Sequence, residues 1–279
     1  HVITRMTRGG AQENTLATLR GLKEKGFEGT LITGPSWGRE GEILSQAIGE
    51  GLEVIILPEL VREISPWNDC VTLFKLLRLL GHSRCVIIHT HTSKAGLLGR
   101  MAARIQRIPT VIHTPHGHVF HSYFSKLKEL FFIFLERCLA KGTDRLIALT
   151  NTCRKEHLAL GIGKPEQWAV IPSGVDEETF READSGAKSE IRGRLGIAPD
   201  KNIVGFLGRL SSIKGPGFLV EALPGIKTVF PEVHFLFVGD GEERAVLEGR
   251  VNELGLGSSV TFTGHEKDPA LLLSCMDVL

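Results

Sequence analysis

Short apolar runs alternate along this chain with longer stretches whose apolar positions recur at helical spacing. The first run, HVITRM at 1–6, predicts a strand. It is followed by Thr7-Arg8-Gly9-Gly10 and by a helix over 11–25 with Leu16, Leu19 and Leu22 on one face. Further strands are predicted over 30–33, 54–57, 86–89, 110–112, 145–149 and 169–171, with helices over 40–50, 68–80, 94–107, 125–141 and 152–160 between them. Helix 94–107 turns Leu98, Met101, Ala102 and Ile105 inward. Helix 125–141 gathers Leu127, Leu130, Phe131, Phe134, Leu135, Cys138 and Leu139 on a face read as core, leaving Phe132 and Ile133 outside it. Such β–α alternation predicts a parallel sheet covered by helices on both faces, with ligands at the carboxyl ends of its strands.

The stretch PSGVDEETFREADS, over 172–185, is polar and lacks an apolar period. The alternation then restarts, with helix 187–195, strand 203–207, helix 216–229, strand 233–238, helix 242–254, strand 260–262 and helix 269–274. Helix 216–229 is expected to bury Phe218, Leu219, Ala222, Leu223 and Ile226. The expected organisation is a domain over 1–172, a linker over 173–185 and a second domain over 186–279. The expected fold class is α/β, with two doubly wound, Rossmann-like parallel-sheet domains facing across a cleft. The chain starts on a strand already under way, and 275–279 looks like the opening of another. It is therefore read as a fragment whose second domain is truncated.

Lys+Arg 33 against Asp+Glu 32 leaves almost no net charge, which argues against a nucleic-acid partner. The cysteines at 70, 85, 138, 153 and 275 contain no C-x-x-C pair and suit reduced thiols in the cytoplasm. No secretory signal is visible, and the apolar run at 130–135 is far too short to span a bilayer. Phe132 and Ile133 widen the apolar surface of a helix flanked by Lys126, Lys128, Arg137 and Lys141, which raises the peripheral surface of the plasma membrane's inner face as a second location.

Candidate chemistry concentrates on IVGFLGRLSSIKGPG, at 203–217. Arg209 and Lys214 stand between a strand's carboxyl end and a helix that starts at Pro216. Unpaired N–H groups at such a helix start attract anions, and a guanidinium fork with a mobile ammonium suits a diphosphate. A second strand–helix turn carries Gly9 and Gly10, which let a ligand approach the backbone closely. VGDG, at 238–241, reads as a turn in which Asp240 could cap the next helix or bind a ligand. Six of the 11 histidines lie between His89 and His121. His89 and His91 share a strand face; His113, His116 and His118 fall at a strand end, in HTPHGH. This stretch holds no carboxylate or cysteine, and no H-E-x-x-H or finger spacing occurs. The histidines are read as bonding backbone or lining a cleft, and no metal and no cofactor are expected.

Taken in order, the glycine pair, HTHTSKAGLLGR at 89–100, HTPHG, IPSGVD at 171–176, GRLSSIKG, VGDG and FTGHEKD at 262–268 resemble family 4 glycosyltransferases of the GT-B fold. These are retaining enzymes of bacterial polysaccharide and glycolipid synthesis. The resemblance implies that Arg209 and Lys214 hold the donor diphosphate, with Gly9 and Gly10 facing the phosphates or the sugar. It implies that His116 contacts the donor sugar near its reacting carbon, that Gly264 and His265 lie near the base, and that Lys94 meets the acceptor. The family's pair of glutamates, spaced E-x7-E, would follow 279. Without them the fragment is expected to bind nucleotide weakly and to transfer no sugar.

The implied reaction moves a hexose from a nucleotide diphosphate to a glycan or lipid-linked acceptor, with UDP the commoner carrier and GDP the other. Fixed cations can carry the leaving diphosphate's charge without a metal, and no DxD pair occurs here. Domain closure about the linker would exclude water. Three rivals stay open: another GT-B activity such as an epimerase or phosphorylase, a non-catalytic nucleotide-sugar-binding module, and a dinucleotide oxidoreductase. The last is weakened because no G-x-G-x-x-G follows a strand.

Overall fold

The computed structural model describes residues 1–7, 9–36, 42–117, 126–174, 185–266 and 269–279. They fall into two compact units, His1–Gly174 and Val175–Leu279. Most of the expected linker, 175–184, lies outside the described residues, as do His118 and the segment around it.

The first unit is a seven-stranded sheet: β1 (Val2–Ile3), β2 (Thr30–Thr33), β3 (Glu53–Ile56), β4 (Ile87–His91), β5 (Thr110–Thr114), β6 (Arg145–Ala148) and β7 (Trp168–Val170). All neighbours pair in parallel, in the order β3-β2-β1-β4-β5-β6-β7. The connecting helices are α1 (Gly10–Glu24), α2 (Glu42–Gly49), α3 (Pro66–His82), α4 (Ser93–Ile105), α5 (Lys126–Ala140) and α6 (Asn151–Ala159). Successive strand residues serve opposite faces. Val2 and Ile32 pack with Leu76, Leu80, Leu98 and Ala102 from α3 and α4, whereas Ile3 and Leu31 pack with Leu16, Leu19, Ile43 and Ala47 from α1 and α2. Each of these buried valine, leucine and isoleucine side chains contributes about 1.5–3 kcal/mol. Strand β1 is shorter than the predicted 1–6, ending at Ile3; the Thr4 hydroxyl just beyond it meets Thr92 Oγ1 at 3.1 Å.

Two helices sit differently from their sequence patterns. In α4 the inward face is Ala95, Gly96, Leu98, Gly99, Ala102 and Ala103; Met101 and Ile105 point to solvent. A β-carbon on Gly96 would lie 2.5 Å from His113 Cε1, and one on Gly99 2.6 Å from Thr90 Cγ2. Small residues therefore seat this helix directly on β4 and β5. In α5 the face read as core is largely outside: Leu127 is 80% exposed, Phe131 58% and Phe134 60%. Ile133 and Ala140 face inward instead, and Glu136, on the same stripe, joins the buried Arg100. The ion pair lies on this inward stripe, a contact that apolar spacing does not reveal.

The second unit contains α7 (Ser185–Arg194), β8 (Ile203–Leu207), α8 (Pro216–Val229), β9 (His234–Val238), α9 (Arg244–Glu253), β10 (Val260–Gly264) and α10 (Pro269–Leu273). Its parallel sheet runs β10-β9-β8. Beyond β8, Val278 bridges Val204 in parallel, and the Asp277 carboxylate accepts the Ile203 N–H at 2.7 Å. Phe235 and Phe237 face α8 and α9, while Leu236 and Val238 face α10. Helix α8 buries Val220 and Leu223, but Phe218 and Ala222 are exposed, against the sequence expectation.

Candidate active site

In the first sheet, β1 and β4 are neighbours, yet the helices that follow them cover opposite faces. Crevices of this kind, at a change of winding, are where open α/β sheets bind ligands. Three chain turns meet at its carboxyl edge. After β1, Gly9 caps α1, its carbonyl accepting the Gln12 and Glu13 N–H groups at 3.1 and 3.0 Å. A β-carbon on Gly10 would meet nothing within 4 Å. After β4, Thr92 caps α4 at φ 63, and after β5, His116 sits at φ 59. Non-glycine residues in the left-handed region each cost about 1–3 kcal/mol and collect at functional sites.

Between these turns lies a chain of imidazoles. His91 Nε2 is 3.0 Å from His1 Nδ1, and His91 Nδ1 is 2.9 Å from His116 Nε2. His89 packs against the His91 ring, with centroids 4.1 Å apart, and pairs through Nε2 with the Thr114 hydroxyl at 2.8 Å. Burial pushes the pKa of His116 down to about 4 and that of His89 to about 3, and it holds His91 well below the ordinary imidazole value. All three are neutral at pH 7. His116 Nδ1 is buried and has no hydrogen-bond partner among the described residues.

The ring nitrogens of His1, His89 and His91 lie within 4.8 Å of one another, a set that could hold a metal ion. The 3.0 Å contact between His1 and His91 is nevertheless a hydrogen-bond length. Two imidazoles on one tetrahedral zinc stand about 3.3 Å apart, given bonds of about 2.0–2.1 Å. Alternate spacing made the shared face of His89 and His91 legible. The role of His1 was not, because it depends on β1 pairing with β4, Val2 against Thr90, across half of the unit's sequence.

His113 points to the other face of the sheet, where Nδ1 meets the Thr90 hydroxyl at 2.9 Å and the Thr90 carbonyl at 3.1 Å beneath α4. It belongs to the core. Lys94 lies in the first turn of α4, with its ammonium donating to Asp69 at 2.6 Å and to the Glu63 carbonyl. Its charge is already paired within the unit.

In the second unit, the loop from β8 to α8 presents both predicted cations. Arg209 and Lys214 are exposed, and neither makes a side-chain hydrogen bond or ion pair among the described residues. Backbone bonds hold the loop itself. Lys214 and Gly215 N–H donate to Ser211 O at 3.0 and 3.2 Å, and Gly215 adopts φ 69 just before Pro216 opens α8. The VGDG turn is more than a turn. A β-carbon on Gly239 would lie 2.0 Å from Gly208 O, and one on Gly241 2.3 Å from Leu210 O. Leu210 N–H donates to Asp240 O, and Glu243 N–H to Leu210 O, both at 3.0 Å. Asp240 does not cap α9, whose N-cap is Glu243; its carboxylate accepts the Gly241 N–H at 2.9 Å. Gly264, at φ 77, accepts the Gly239 N–H at 2.9 Å, which joins the end of β10 to the same edge. His265 is exposed on the turn that follows. Glycines thus let three strand ends touch through their backbones and set Arg209 and Lys214 beside them.

Residues 9–174 match the family described as Glycosyl transferase 4-like domain, and residues 187–279 match Glycosyl transferases group 1. The Escherichia coli UDP-Gal:alpha-D-GlcNAc-diphosphoundecaprenol alpha-1,3-galactosyltransferase is 32% identical over 273 residues, covering 96% of this chain and 69% of that enzyme. The D-inositol 3-phosphate glycosyltransferase of Segniliparus rotundus is 26% identical over 240 residues, and the match spans 52% of its length. Among solved structures, Anabaena HepE in complex with UDP and glucose superposes with a TM-score of 0.81 at 21% identity, over 99% of this chain and 71% of HepE. That superposition extends the fold's likeness across both matched families, and the chain belongs to the family 4 glycosyltransferases of the GT-B fold.

Proposed function

We propose that this chain moves a hexosyl group, with retention and without a metal, from a UDP-sugar to a lipid-linked or polysaccharide acceptor. The donor is assigned to the second unit and the acceptor to the first. The observation that carries this reading is the pair Arg209 and Lys214, exposed and unpartnered among the described residues on a loop pinned by glycine contacts. A planar fork and an ammonium match a diphosphate whose charge grows as the sugar departs, and prepositioned cations stabilise that charge without reorganising. Neutral His116, with a buried nitrogen unpaired among the described residues, suits a hydroxyl of the donor sugar near the reacting carbon. Gly9, Gly10, Gly264 and His265 complete the proposed donor contacts, and Lys94 is assigned to the acceptor side through the turn it stabilises. UDP in the HepE complex and the lipid-linked substrate of the E. coli relative support these choices of donor and acceptor.

Calorimetry with UDP and GDP tests the donor site. UDP is expected to bind more tightly than GDP, and Arg209→Ala to cost about 2 kcal/mol, close to thirtyfold in affinity. EDTA should leave UDP affinity unchanged. Equal UDP affinity in wild type and variant would sink the assignment, and loss of binding in EDTA would return the site to a metal.

The acceptor reading extends to a location at the membrane surface. No helix among the described residues is long and apolar enough to cross a membrane. The exposed face of α5, with Leu127, Leu130, Phe131 and Phe134 beside Lys126 and Lys128, has the composition of an interfacial helix. Each phenyl ring inserted contributes about 1.5–3 kcal/mol. Phe131→Ser with Phe134→Ser is therefore expected to lower partitioning onto anionic vesicles by at least about a hundredfold in flotation. Wild type that stays in the soluble fraction at both low and high salt would remove the membrane from this reading.

A further inference from the structure

The imidazole chain at the carboxyl edge of the first sheet does something that separate histidines could not. A neutral imidazole carries one N–H and one lone pair, so each ring can donate through one nitrogen only while accepting through the other. His91 uses both nitrogens on other imidazoles, His1 on one side and His116 on the other. Its two hydrogen bonds must therefore run in the same direction. If His91 donates from Nδ1 to His116 Nε2, the His116 proton sits on Nδ1. If His116 donates from Nε2 to His91, its Nδ1 carries a lone pair. The nitrogen in question is the buried one left without a partner among the described residues.

We propose that His91 is a positioning residue for His116: it holds the His116 ring in place and fixes which tautomer that ring presents at Nδ1. The inference rests on the reading that His116 serves the donor sugar. His116 is a β5-end residue held at φ 59, a conformation that persists only where its surroundings enforce it. His91 is well placed to enforce it. It is fully buried, it sits in register with Thr114 at the end of β5, and its ring centroid lies 5.1 Å from that of His116. Its other side stacks on His1, with centroids 5.2 Å apart and planes within 14°. Because desolvation keeps His91 and His116 neutral, the bond between them does not lose its direction by taking up a proton near pH 7.

The test uses the full-length protein with 15N-labelled histidine, wild type against His91→Phe, His91→Asn and His116→Ala. Ring-nitrogen shifts in wild type are expected to show a single neutral tautomer at His116. His91→Phe should mix the two tautomers and lower kcat on the order of 10- to 100-fold, with UDP affinity unchanged. The amide of His91→Asn can occupy the place of Nδ1, so this variant should restore one tautomer and most of the activity. It also keeps the test open if the bulkier phenylalanine prevents folding. Adding His91→Phe to His116→Ala should lower kcat no further, since one acts through the other. Unchanged His116 shifts and kcat in both His91 variants, while His116→Ala is impaired, would overturn the proposal and leave the role of His116 standing. Full activity in His116→Ala would overturn the reading beneath it. One equivalent of zinc retained through purification, and lost in His91→Asn, would overturn the proposal in favour of a metal site on His1, His89 and His91.

Discussion

Glu136→Ala is expected to cost the first unit about 3–5 kcal/mol. The Arg100 side chain is 1% exposed, and its guanidinium donates through Nη2 to both Glu136 oxygens, at 2.7 and 2.8 Å. Nε donates to Gly96 O at 2.8 Å, and Nη1 has no partner among the described residues. Removing the carboxylate leaves a charge that cannot ionise away, because a guanidinium does not deprotonate, and that water cannot reach. For a unit of this size the loss corresponds to a fall of roughly 10 °C in Tm. Replacing both partners together, Arg100→Met with Glu136→Leu, should recover most of the loss, since an apolar pair of similar volume leaves no charge to solvate. Urea denaturation of wild type and the two variants decides the matter. A cost below about 1 kcal/mol for Glu136→Ala would mean that Arg100 reaches solvent.

This pair also marks where the sequence stopped being sufficient. Strand and helix positions were legible because both sheets are covered on both faces, so that strands read as short apolar runs and helices as longer periodic ones. Helical spacing alone placed Leu127, Leu130, Phe131 and Phe134 in a core. It could not weigh a charged residue on a neighbouring stripe against four apolar ones, and it is the stripe of Glu136, bonded to Arg100, that faces inward. The same limit applies to α4. There Met101 and Ile105 looked inward by period, but close approach to the strands needs the small residues Gly96 and Gly99. Phe218 shows it again, at 85% exposed in the first turn of α8.

The candidate site divides along similar lines. Arg209 and Lys214 were legible because a strand end, a loop and a helix start are contiguous in sequence, and position along the chain is enough to bring them together. His91 with His116 required the β4–β5 register, and His1 required the β1–β4 pairing. Neither is written locally. VGDG lay between the two cases. Its turn was readable from composition, but the reason for its glycines is a contact with Gly208 and Leu210, about 30 residues earlier in the chain.

That contact gives the second large prediction, because it links the stability of the second unit to its anion site. Gly239 adopts φ 136, where an L side chain is strained, and a β-carbon there would stand 2.0 Å from Gly208 O and 2.9 Å from Gly208 C. Both obstacles are backbone, so no rotamer change relieves them. Either the end of β9 or the end of β8 must move, and Arg209 is the next residue after Gly208. Gly239→Ala should therefore destabilise the second unit by on the order of 3 kcal/mol, combining left-handed strain with overpacking. The molecules that remain folded should bind UDP weakly, because the N–H of Gly208 that holds β8 against Val238 O and the N–H of Leu210 that donates to Asp240 O move together with Arg209. Gly217 is the control. A β-carbon on it meets nothing within 4 Å in the first turn of α8, so Gly217→Ala should leave UDP binding intact and add about 0.4–1 kcal/mol of stability. Chemical denaturation paired with UDP calorimetry separates the two variants. If Gly239→Ala folds and binds UDP as wild type does, the strand ends can shift without disturbing Arg209, and the glycine contacts do not hold the site.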